Sequence, residues 1–189
     1  MLTGPRQELF QTAPTKHCKG IGYRSISVRF HTRPLSAEGS RRKSGRFHVA
    51  GAIDAIYIAL DPITALHEVE TLYRVATGMA AQPSNPRTLF SIHYDLPRTL
   101  DLRDAITREH LGYTLDTILS NWRPLTPDAP TQTLGQHAHR AGIQAILYPS
   151  YRNQQGGANL VIFPENLKQE PTGTLRVHDS DGRLNHTLP

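Results

Sequence analysis

Residues 54–60 form a short run of apolar side chains with no polar break after Asp54. β-branched and aromatic residues in this run predict a strand that is covered on both faces. Asp61 then supplies a side-chain oxygen suited to a helix N-cap, and Pro62 suits the first helical position, where a missing N–H costs nothing. The pattern therefore predicts a strand followed directly by a helix that extends to about Val75.

Glu68 lies in this predicted helix, close to the edge of its apolar face. On a helical wheel of about 100° per residue, it falls roughly 40° outside the arc that contains Ala65, Leu66 and Val69. The wheel permits Glu68 to point inward without requiring it. A carboxylate at the rim of an amphipathic helix is the alternative, since an isolated Glu is rarely buried.

Arg24 lies in a second predicted strand, at residues 22–28, where apolar and polar residues alternate. The alternation places Arg24 on the same face as Gly22 and Ile26. An Arg on an apolar face needs a partner, which an anionic ligand or a carboxylate would provide. The second interpretation is an edge-strand Arg whose head group reaches water.

Hydrophobic periodicity and turn residues predict five further elements: a strand at 88–96, helices at 105–122 and about 131–141, and strands at 143–150 and 158–163. The last two strands are close enough in sequence to form a hairpin. An Asp-Gly turn within residues 175–184 predicts a final hairpin.

The length of the chain predicts a single domain, and its composition gives that domain an excess of positive charge. The chain has 189 residues and a formal net charge of +5, which favours an anionic partner such as a phosphorylated ligand, an acidic protein or nucleic acid. The densest basic run, residues 41–46, lacks interleaved aromatic residues, and no helix-turn-helix or zinc-finger pattern accompanies it. We therefore expect no direct binding to nucleic acid. A phosphate-binding role and a solvated loop remain as interpretations of this run.

Several other kinds of site are disfavoured. Cys18 is the only cysteine, so an internal disulfide and a cysteine-based metal site are excluded. The ten histidines show no metal-binding spacing, and we expect no metal. Ser150 lacks the flanking glycines of a hydrolase nucleophile, and no glycine-rich phosphate loop of standard spacing occurs. Without a membrane-length apolar run or a signal-peptide pattern, we expect a cytoplasmic protein and no membrane contact.

Short motifs in a fixed order resemble those of the RES-domain family, which is named for an Arg, a Glu and a Ser. The motifs are Tyr23-Arg24, Gly45-Arg46-Phe47, Tyr57-Ile-Ala followed by Thr64-Ala-Leu-His-Glu68, and Tyr148-Pro-Ser150 with Asn159 and Phe163 beyond. Family members usually carry Gly-Gly-Arg-Trp/Phe-Asn around the second Arg, whereas this chain has Ser44 and His48 at the first and last of these positions. We accordingly divide the chain into an N-terminal leader (1–20), the RES domain (21–167) and a C-terminal tail (168–189) whose hairpin can belong to the same domain.

The resemblance implies an α+β fold like that of ADP-ribosyltransferase toxins, with a mixed, mostly antiparallel sheet surrounded by helices. It also implies a toxin that degrades its substrate NAD+ by cleaving the nicotinamide–ribose bond, through hydrolysis or phosphorolysis. The alternatives are a mono-ADP-ribosyltransferase that modifies a protein and a non-catalytic basic binding module. The implied partner is an antitoxin of the Xre type, in a toxin–antitoxin hetero-oligomer, with a homodimer as the alternative assembly.

The resemblance also assigns roles to five residues. Arg24 and Arg46 are expected to bind the pyrophosphate of NAD+ as permanently charged, bidentate donors. Arg46, Glu68 and Ser150 form the expected catalytic set, in which Glu68 stabilises the oxocarbenium character of the ribose or orients the nucleophile. Tyr57 is expected to stack on the nicotinamide or ribose, and Ser150 to hydrogen-bond the nicotinamide amide or a ribose hydroxyl.

Overall fold

The computed structural model describes residues 7–69, 72–75, 78–81, 86–179, 181, 183 and 186–189. The strands in this part of the chain are Thr15–Ser27 (β1), Ile56–Ala59 (β2), Leu72–Val75 (β3), Gly78–Ala81 (β4), Arg87–Asp101 (β5), Ala145–Pro149 (β6), Ala158–Ile162 (β7), Thr174–Val177 (β8) and Thr187–Leu188 (β9). The α-helices are Gln7–Gln11 (α1), Glu38–Arg42 (α2), Pro62–Glu68 (α3), Ala105–Leu111 (α4), Leu115–Leu119 (α5) and Pro130–Arg140 (α6). Short 3-10 helices lie at Val28–Phe30, Arg123–Leu125 and Pro164–Lys168. The α+β class is as predicted.

Seven of these strands form one mixed sheet in the order β1-β2-β7-β6-β5-β8-β9. β5 also pairs with β1, so the first five strands of this order close into a ring. The β5–β6 pair is parallel and the other pairs in the sheet are antiparallel, which confirms a mixed, mostly antiparallel sheet. The predicted hairpin of β6 and β7 is confirmed. β8 and β9 form the final antiparallel pair, and Gly182 of the predicted Asp-Gly turn lies outside the described residues.

β2 contacts a different hydrophobic cluster on each of its faces, because successive side chains of a strand alternate in direction. Tyr57 packs against the first cluster, to which α1, α4, α5 and α6 contribute apolar side chains. Ile56 and Ile58 belong to the second cluster, which consists mainly of strand residues. The prediction that both faces of this strand are covered is therefore confirmed.

One row of paired residues crosses four neighbouring strands of the ring. Tyr23 of β1 pairs with Ala59 of β2, Ala59 pairs with Asn159 of β7, and Asn159 pairs with Tyr148 of β6. Residues directly opposite each other in a sheet point to the same face. The row therefore presents four side chains on one face of the sheet.

The helix after β2 begins as predicted but is shorter. Asp61 caps α3 through its side chain, and Pro62 is the first helical residue. The predicted extension to Val75 is wrong, because α3 ends at Glu68 and the chain then forms the β3–β4 hairpin. The sequence beyond Glu68 is rich in β-branched and aromatic residues, which favour strands. A helical wheel does not register that preference.

The single helix predicted at 105–122 is also wrong, because it is divided into α4 and α5. Gly112 ends α4 in the left-handed conformation, with φ of 73°, which glycine adopts without steric cost. Thr114 then caps α5, whose last residue is Leu119. A glycine in this conformation ends a helix whatever the apolar periodicity beyond it.

Both ends of the described chain contribute to the main sheet. β1 begins at Thr15 and pairs with β5 from that residue, so the sheet includes part of the predicted leader. β8 and β9 bring part of the predicted tail into the same sheet. Among the described helices, none has the length and hydrophobicity needed to span a bilayer.

Candidate active site

A cleft of about 940 Å³ is bounded on one side by the row of paired residues that crosses the ring. All four members of the row line this cleft: Tyr23, Ala59, Asn159 and Tyr148. Four of the five predicted site residues also line it: Arg24, Arg46, Tyr57 and Glu68. The structure therefore brings together residues that are more than 40 positions apart in the sequence.

Two neutral donors from the β6–β7 hairpin hold the carboxylate of Glu68. Its Oε1 accepts a hydrogen bond from Ser150 Oγ at 2.7 Å and another from Asn159 Nδ2 at 2.7 Å. Oε2 lies 4.0 Å from Nε of Arg152. The Glu68 side chain is 35% exposed, so it is neither buried in the core nor a freely solvated charge. It is a partly open carboxylate, fixed at the wall of the cleft.

Glu68 also occupies a position where a helix does not favour negative charge. It is the last residue of α3, and the carbonyl groups at a helix C-terminus carry partial negative charge. A carboxylate there costs about 0.3–1 kcal/mol relative to a neutral residue. The hydrogen bonds from Ser150 and Asn159 offset this cost and keep the carboxylate in one place.

Ser150 uses its full hydrogen-bonding capacity within the protein. Its hydroxyl donates to Glu68 and accepts from the backbone N–H groups of Arg152 at 3.2 Å and Asn153 at 2.9 Å. A hydroxyl has one donor and two lone pairs, and Ser150 is only 3% exposed. This geometry favours a positioning role, in which Ser150 orients Glu68, over the predicted direct contact with a ligand.

The loop between β6 and β7 is tied to the first turn of α3 as well as to its last residue. Asn153 Nδ2 donates to Thr64 Oγ1 at 2.8 Å, and the Thr64 hydroxyl donates to Asp61 Oδ2 at 2.5 Å. A Cβ atom on Gly157 would lie 2.5 Å from Thr64 Oγ1, so the loop approaches the helix more closely than other residues allow. The helix and the loop are therefore held together at both ends of α3.

Arg24 is anchored by backbone carbonyl groups instead of a carboxylate. Its Nη1 donates to the carbonyl of Pro34 at 2.7 Å and its Nη2 to that of Ser36 at 3.1 Å. A guanidinium has five N–H donors, so three remain. Burial lowers the pKa of Arg24 to about 10, and the group stays charged at neutral pH. The structure thus fixes a cation in the cleft and leaves donors for an anionic ligand.

Arg46 is held in the same manner at another point of the cleft. Its Nη1 donates to the carbonyl groups of Ile118 at 2.7 Å and Ser120 at 2.8 Å. Its guanidinium carbon lies 5.9 Å from the ring centre of Tyr151, within the range of a cation–π contact. Burial lowers the pKa of Arg46, and the charge of nearby Glu68 acts in the opposite direction. Arg46 also keeps three donors available.

His48, which stands where the family usually has Asn, orients Tyr57. Nε2 of His48 lies 3.0 Å from the Lys43 carbonyl, which can only accept, so Nε2 carries the proton. Burial lowers the pKa of His48, which favours the neutral ring. Its Nδ1 therefore accepts a hydrogen bond from the Tyr57 hydroxyl, with 2.9 Å between the two atoms. That hydroxyl accepts in turn from the Phe47 N–H at 3.1 Å. A Cβ atom on residue 45 would lie 2.8 Å from the Tyr57 hydroxyl oxygen, so the glycine at this position avoids a steric clash with Tyr57.

Tyr148 and Asn159 belong to the motifs that resemble the RES-domain family, but the sequence predicted no role in the site for either. Asn159 holds Glu68, whereas Tyr148 is 5% exposed and packs edge-on against Phe47 with ring centres 4.7 Å apart. Among the described residues, the Tyr148 hydroxyl has no hydrogen-bond partner, and burial raises its pKa. The predicted β6–β7 hairpin could have indicated that both belong to the site, since pairing of its strands places Asn159 directly opposite Tyr148. Tyr148 is therefore a neutral donor available to a ligand.

The described residues contain no group of three or more His, Cys, Asp or Glu side chains that could hold a metal ion. The cleft instead combines one fixed carboxylate, anchored guanidinium groups and aromatic side chains. Such a set can bind an anionic ligand and stabilise positive charge at a neighbouring carbon.

The sequence matches the model of the RES domain over residues 21–184, so the chain belongs to the RES-domain family. The match extends beyond residue 167, the predicted end of the domain. The fold is similar to that of a chain in the crystal structure of the M. tuberculosis MbcT–MbcA toxin–antitoxin complex. The two chains share 25% sequence identity with a TM-score of 0.69, over 92% of this chain and 88% of that one. A search of curated proteins gave no match.

Proposed function

We propose that this protein is the toxin of a toxin–antitoxin pair and that it cleaves the nicotinamide–ribose bond of NAD+. The observation that carries the proposal is the Glu68 carboxylate, fixed by Ser150 and Asn159 in a cleft with anchored arginines. Membership of the RES-domain family and the likeness to a chain of the MbcT–MbcA complex support the toxin assignment. A relation of the fold to ADP-ribosyltransferase toxins is part of the same proposal.

The anionic part of NAD+ suits the two anchored arginines. Arg24 and Arg46 each present three N–H donors beyond those that bind backbone carbonyls. Planar guanidinium groups bind phosphate oxygens in pairs, and fixed ones lose little conformational freedom on binding. The arginines therefore hold the pyrophosphate and align the dinucleotide along the cleft.

The reaction breaks a carbon–nitrogen bond and leaves positive charge on the ribose. Both bonding electrons go to nicotinamide, which leaves as a neutral molecule, and the anomeric carbon gains oxocarbenium character. The negative charge of Glu68 stabilises that carbon. Water then adds with loss of a proton to give ADP-ribose, or phosphate adds to give ADP-ribose-1″-phosphate. Tyr57 and Tyr148 face the cleft near Glu68, where an aromatic face can stack on the ligand and the Tyr148 hydroxyl can donate to it.

An enzyme that consumes NAD+ must be restrained in the cell that makes it. We propose an antitoxin of the Xre type as the restraint, bound over the cleft in a hetero-oligomer. The basic run at residues 41–46, of which Arg42, Lys43 and Arg46 line the cleft, favours an acidic segment or a C-terminal carboxylate on that partner.

Incubation of the purified protein with NAD+ tests the proposal. We expect release of nicotinamide together with ADP-ribose in Tris buffer, or with ADP-ribose-1″-phosphate in phosphate buffer. Label transferred to a protein would indicate a mono-ADP-ribosyltransferase, and absence of any turnover would indicate a binding module.

Glu68→Gln and Glu109→Gln form a matched pair for this assay. Gln at position 68 keeps the shape and the acceptor but removes the charge, so we expect kcat to fall about 100-fold or more. Glu109 is exposed on α4 and does not line the cleft, so its variant should retain the parent activity. A folded Glu68→Gln variant as active as the parent would remove Glu68 from the catalytic role.

A further inference from the structure

The described residues that line the cleft carry more positive charge than NAD+ requires. Nine cationic side chains and two carboxylates give an excess of seven positive charges, whereas the whole chain has an excess of five. The cations are Arg24, Arg29, Arg33, Arg42, Lys43, Arg46, Arg87, Arg123 and Arg152, and the carboxylates are Glu38 and Glu68. The remainder of the protein is therefore slightly negative, and its positive charge is concentrated in the cleft.

Three of these cations, Arg29, Arg33 and Arg87, define the basic end of the cleft. Arg29 and Arg33 lie in the segment after β1, and Arg87 is the first residue of β5, which pairs with the end of β1. Arg87 pairs with Ser27, which lies four residues along β1 from Tyr23, and Tyr23 belongs to the same row of paired residues as the Asn159 that holds Glu68. At about 3.3 Å per residue, Arg87 is offset from this row by about 13 Å along the strands. The basic end thus lies far from the catalytic carboxylate.

Arg87 is prearranged at this end. Its Nε donates to Ser25 Oγ at 2.9 Å and its Nη2 to the Ser25 carbonyl at 2.7 Å, so three N–H donors remain. Arg29 lies over the ring of Phe30, with its guanidinium carbon 4.7 Å from the ring centre. Within the described part of the chain, no carboxylate contacts any of the three arginines of the basic end. A fixed and partly desolvated guanidinium such as that of Arg87, without a counter-charge, favours binding of an anion, and the exposed Arg29 and Arg33 add positive charge at the same end.

We propose that the basic end binds a phosphate group in addition to the pyrophosphate, so that the site prefers NADP+ to NAD+. This inference rests on the proposed function, which assigns Glu68 to the nicotinamide ribose and Arg24 with Arg46 to the pyrophosphate. The adenosine half of the ligand then extends toward β1 and β5. NAD+ has no group to match a further set of arginines there, whereas the ribose phosphate of NADP+ carries a charge between −1.5 and −2 at about pH 7.

Initial rates of nicotinamide release from NADP+ and NAD+, at equal ionic strength, test the inference. We expect kcat/KM for NADP+ to exceed that for NAD+ by about tenfold or more, the effect of a charge-assisted hydrogen bond. Arg87→Gln should lower the ratio of the two kcat/KM values by about tenfold. Arg140→Gln, which removes the same charge from an exposed position on α6, should leave the ratio as it is in the parent.

Calorimetric titration with each dinucleotide separates this inference from the proposed function. If both dinucleotides are cleaved but NADP+ is neither cleaved nor bound better than NAD+, the inference is overturned and the proposed function stands. If neither is cleaved but NADP+ binds about tenfold more tightly in an Arg87-dependent manner, the proposed function fails and the phosphate site stands. If Arg87→Gln weakens the binding of both dinucleotides equally, Arg87 contacts the pyrophosphate and the inference is overturned.

Discussion

Ser150 supplies one of the two short hydrogen bonds that hold Glu68, so Ser150→Ala should leave the carboxylate less well oriented. The substitution removes the 2.7 Å bond to Oε1 and leaves only the one from Asn159. A hydrogen bond to a charged group contributes about 1.5–3 kcal/mol. At about 1.4 kcal/mol per factor of ten, this corresponds to a loss of roughly 10- to 150-fold in rate. Because Ser150 does not line the cleft, we expect the loss in kcat, with KM changed by less than about twofold.

The assay compares nicotinamide release by the parent, Ser150→Ala, Glu68→Gln and the double variant. If Ser150 acts only through Glu68, its removal from the Glu68→Gln protein should have little further effect. Thr99→Val is a suitable control, since it removes another buried hydroxyl, one that donates to the Leu96 carbonyl away from the cleft. A raised KM with unchanged kcat would show that Ser150 contacts the ligand, and would refute the positioning role.

Three further predictions concern Arg24, Arg46 and Tyr148, which line the cleft, and His48, which orients the cleft residue Tyr57. Arg24→Lys and Arg46→Lys should each weaken NAD+ binding by about 1–3 kcal/mol in a calorimetric titration, because a Lys ammonium is a point charge and cannot bind phosphate oxygens in pairs as a guanidinium does. Unchanged affinity in both variants would show that neither arginine belongs to the site. Burial lowers the pKa of His48 in the folded protein below its usual 6.5. At a pH between the folded and the unfolded pKa of His48, the unfolded chain binds more protons than the folded one, so the free energy of unfolding falls as pH falls. His48→Asn should flatten this slope in urea unfolding between about pH 5 and 7, and an equal slope would contradict the burial effect. Tyr148→Phe should lower kcat/KM about tenfold without a change in the unfolding midpoint, since its hydroxyl has no partner in the described structure; a lower midpoint with full activity would give Tyr148 a structural role.

Structural features that depend on residues close together in the chain could be predicted from the sequence. Asp61 and Pro62 define the start of α3 because a cap and a first-turn proline act locally. The end of α3 could not be predicted in this way, since it depends on pairing between β3 and β4. The closure of the ring is likewise a contact between β1 and β5, whose residues are about 60 to 85 positions apart, and no local pattern reports it.

The candidate site shows the same division. Arg24, Arg46, Tyr57 and Glu68 could be predicted as a group from the order of short motifs, and the structure brings all four to one cleft. The expected contact of Ser150 with a ligand depends on where its hydroxyl points. That direction is set by the backbone N–H groups of the following loop, which only the folded chain brings into place.

The two donors that hold Glu68 follow it by 82 and 91 residues in the chain. At a synthesis rate of about 5–20 residues per second, the carboxylate leaves the ribosome roughly 5–20 seconds before Asn159 does. For most of that interval the helix that carries it has neither Ser150 nor Asn159 to bind, and throughout it the ring lacks a complete β7. The candidate site is therefore incomplete until the second half of the chain is made, and under the proposed function this delay is an interval in which an antitoxin translated at the same time can fold first.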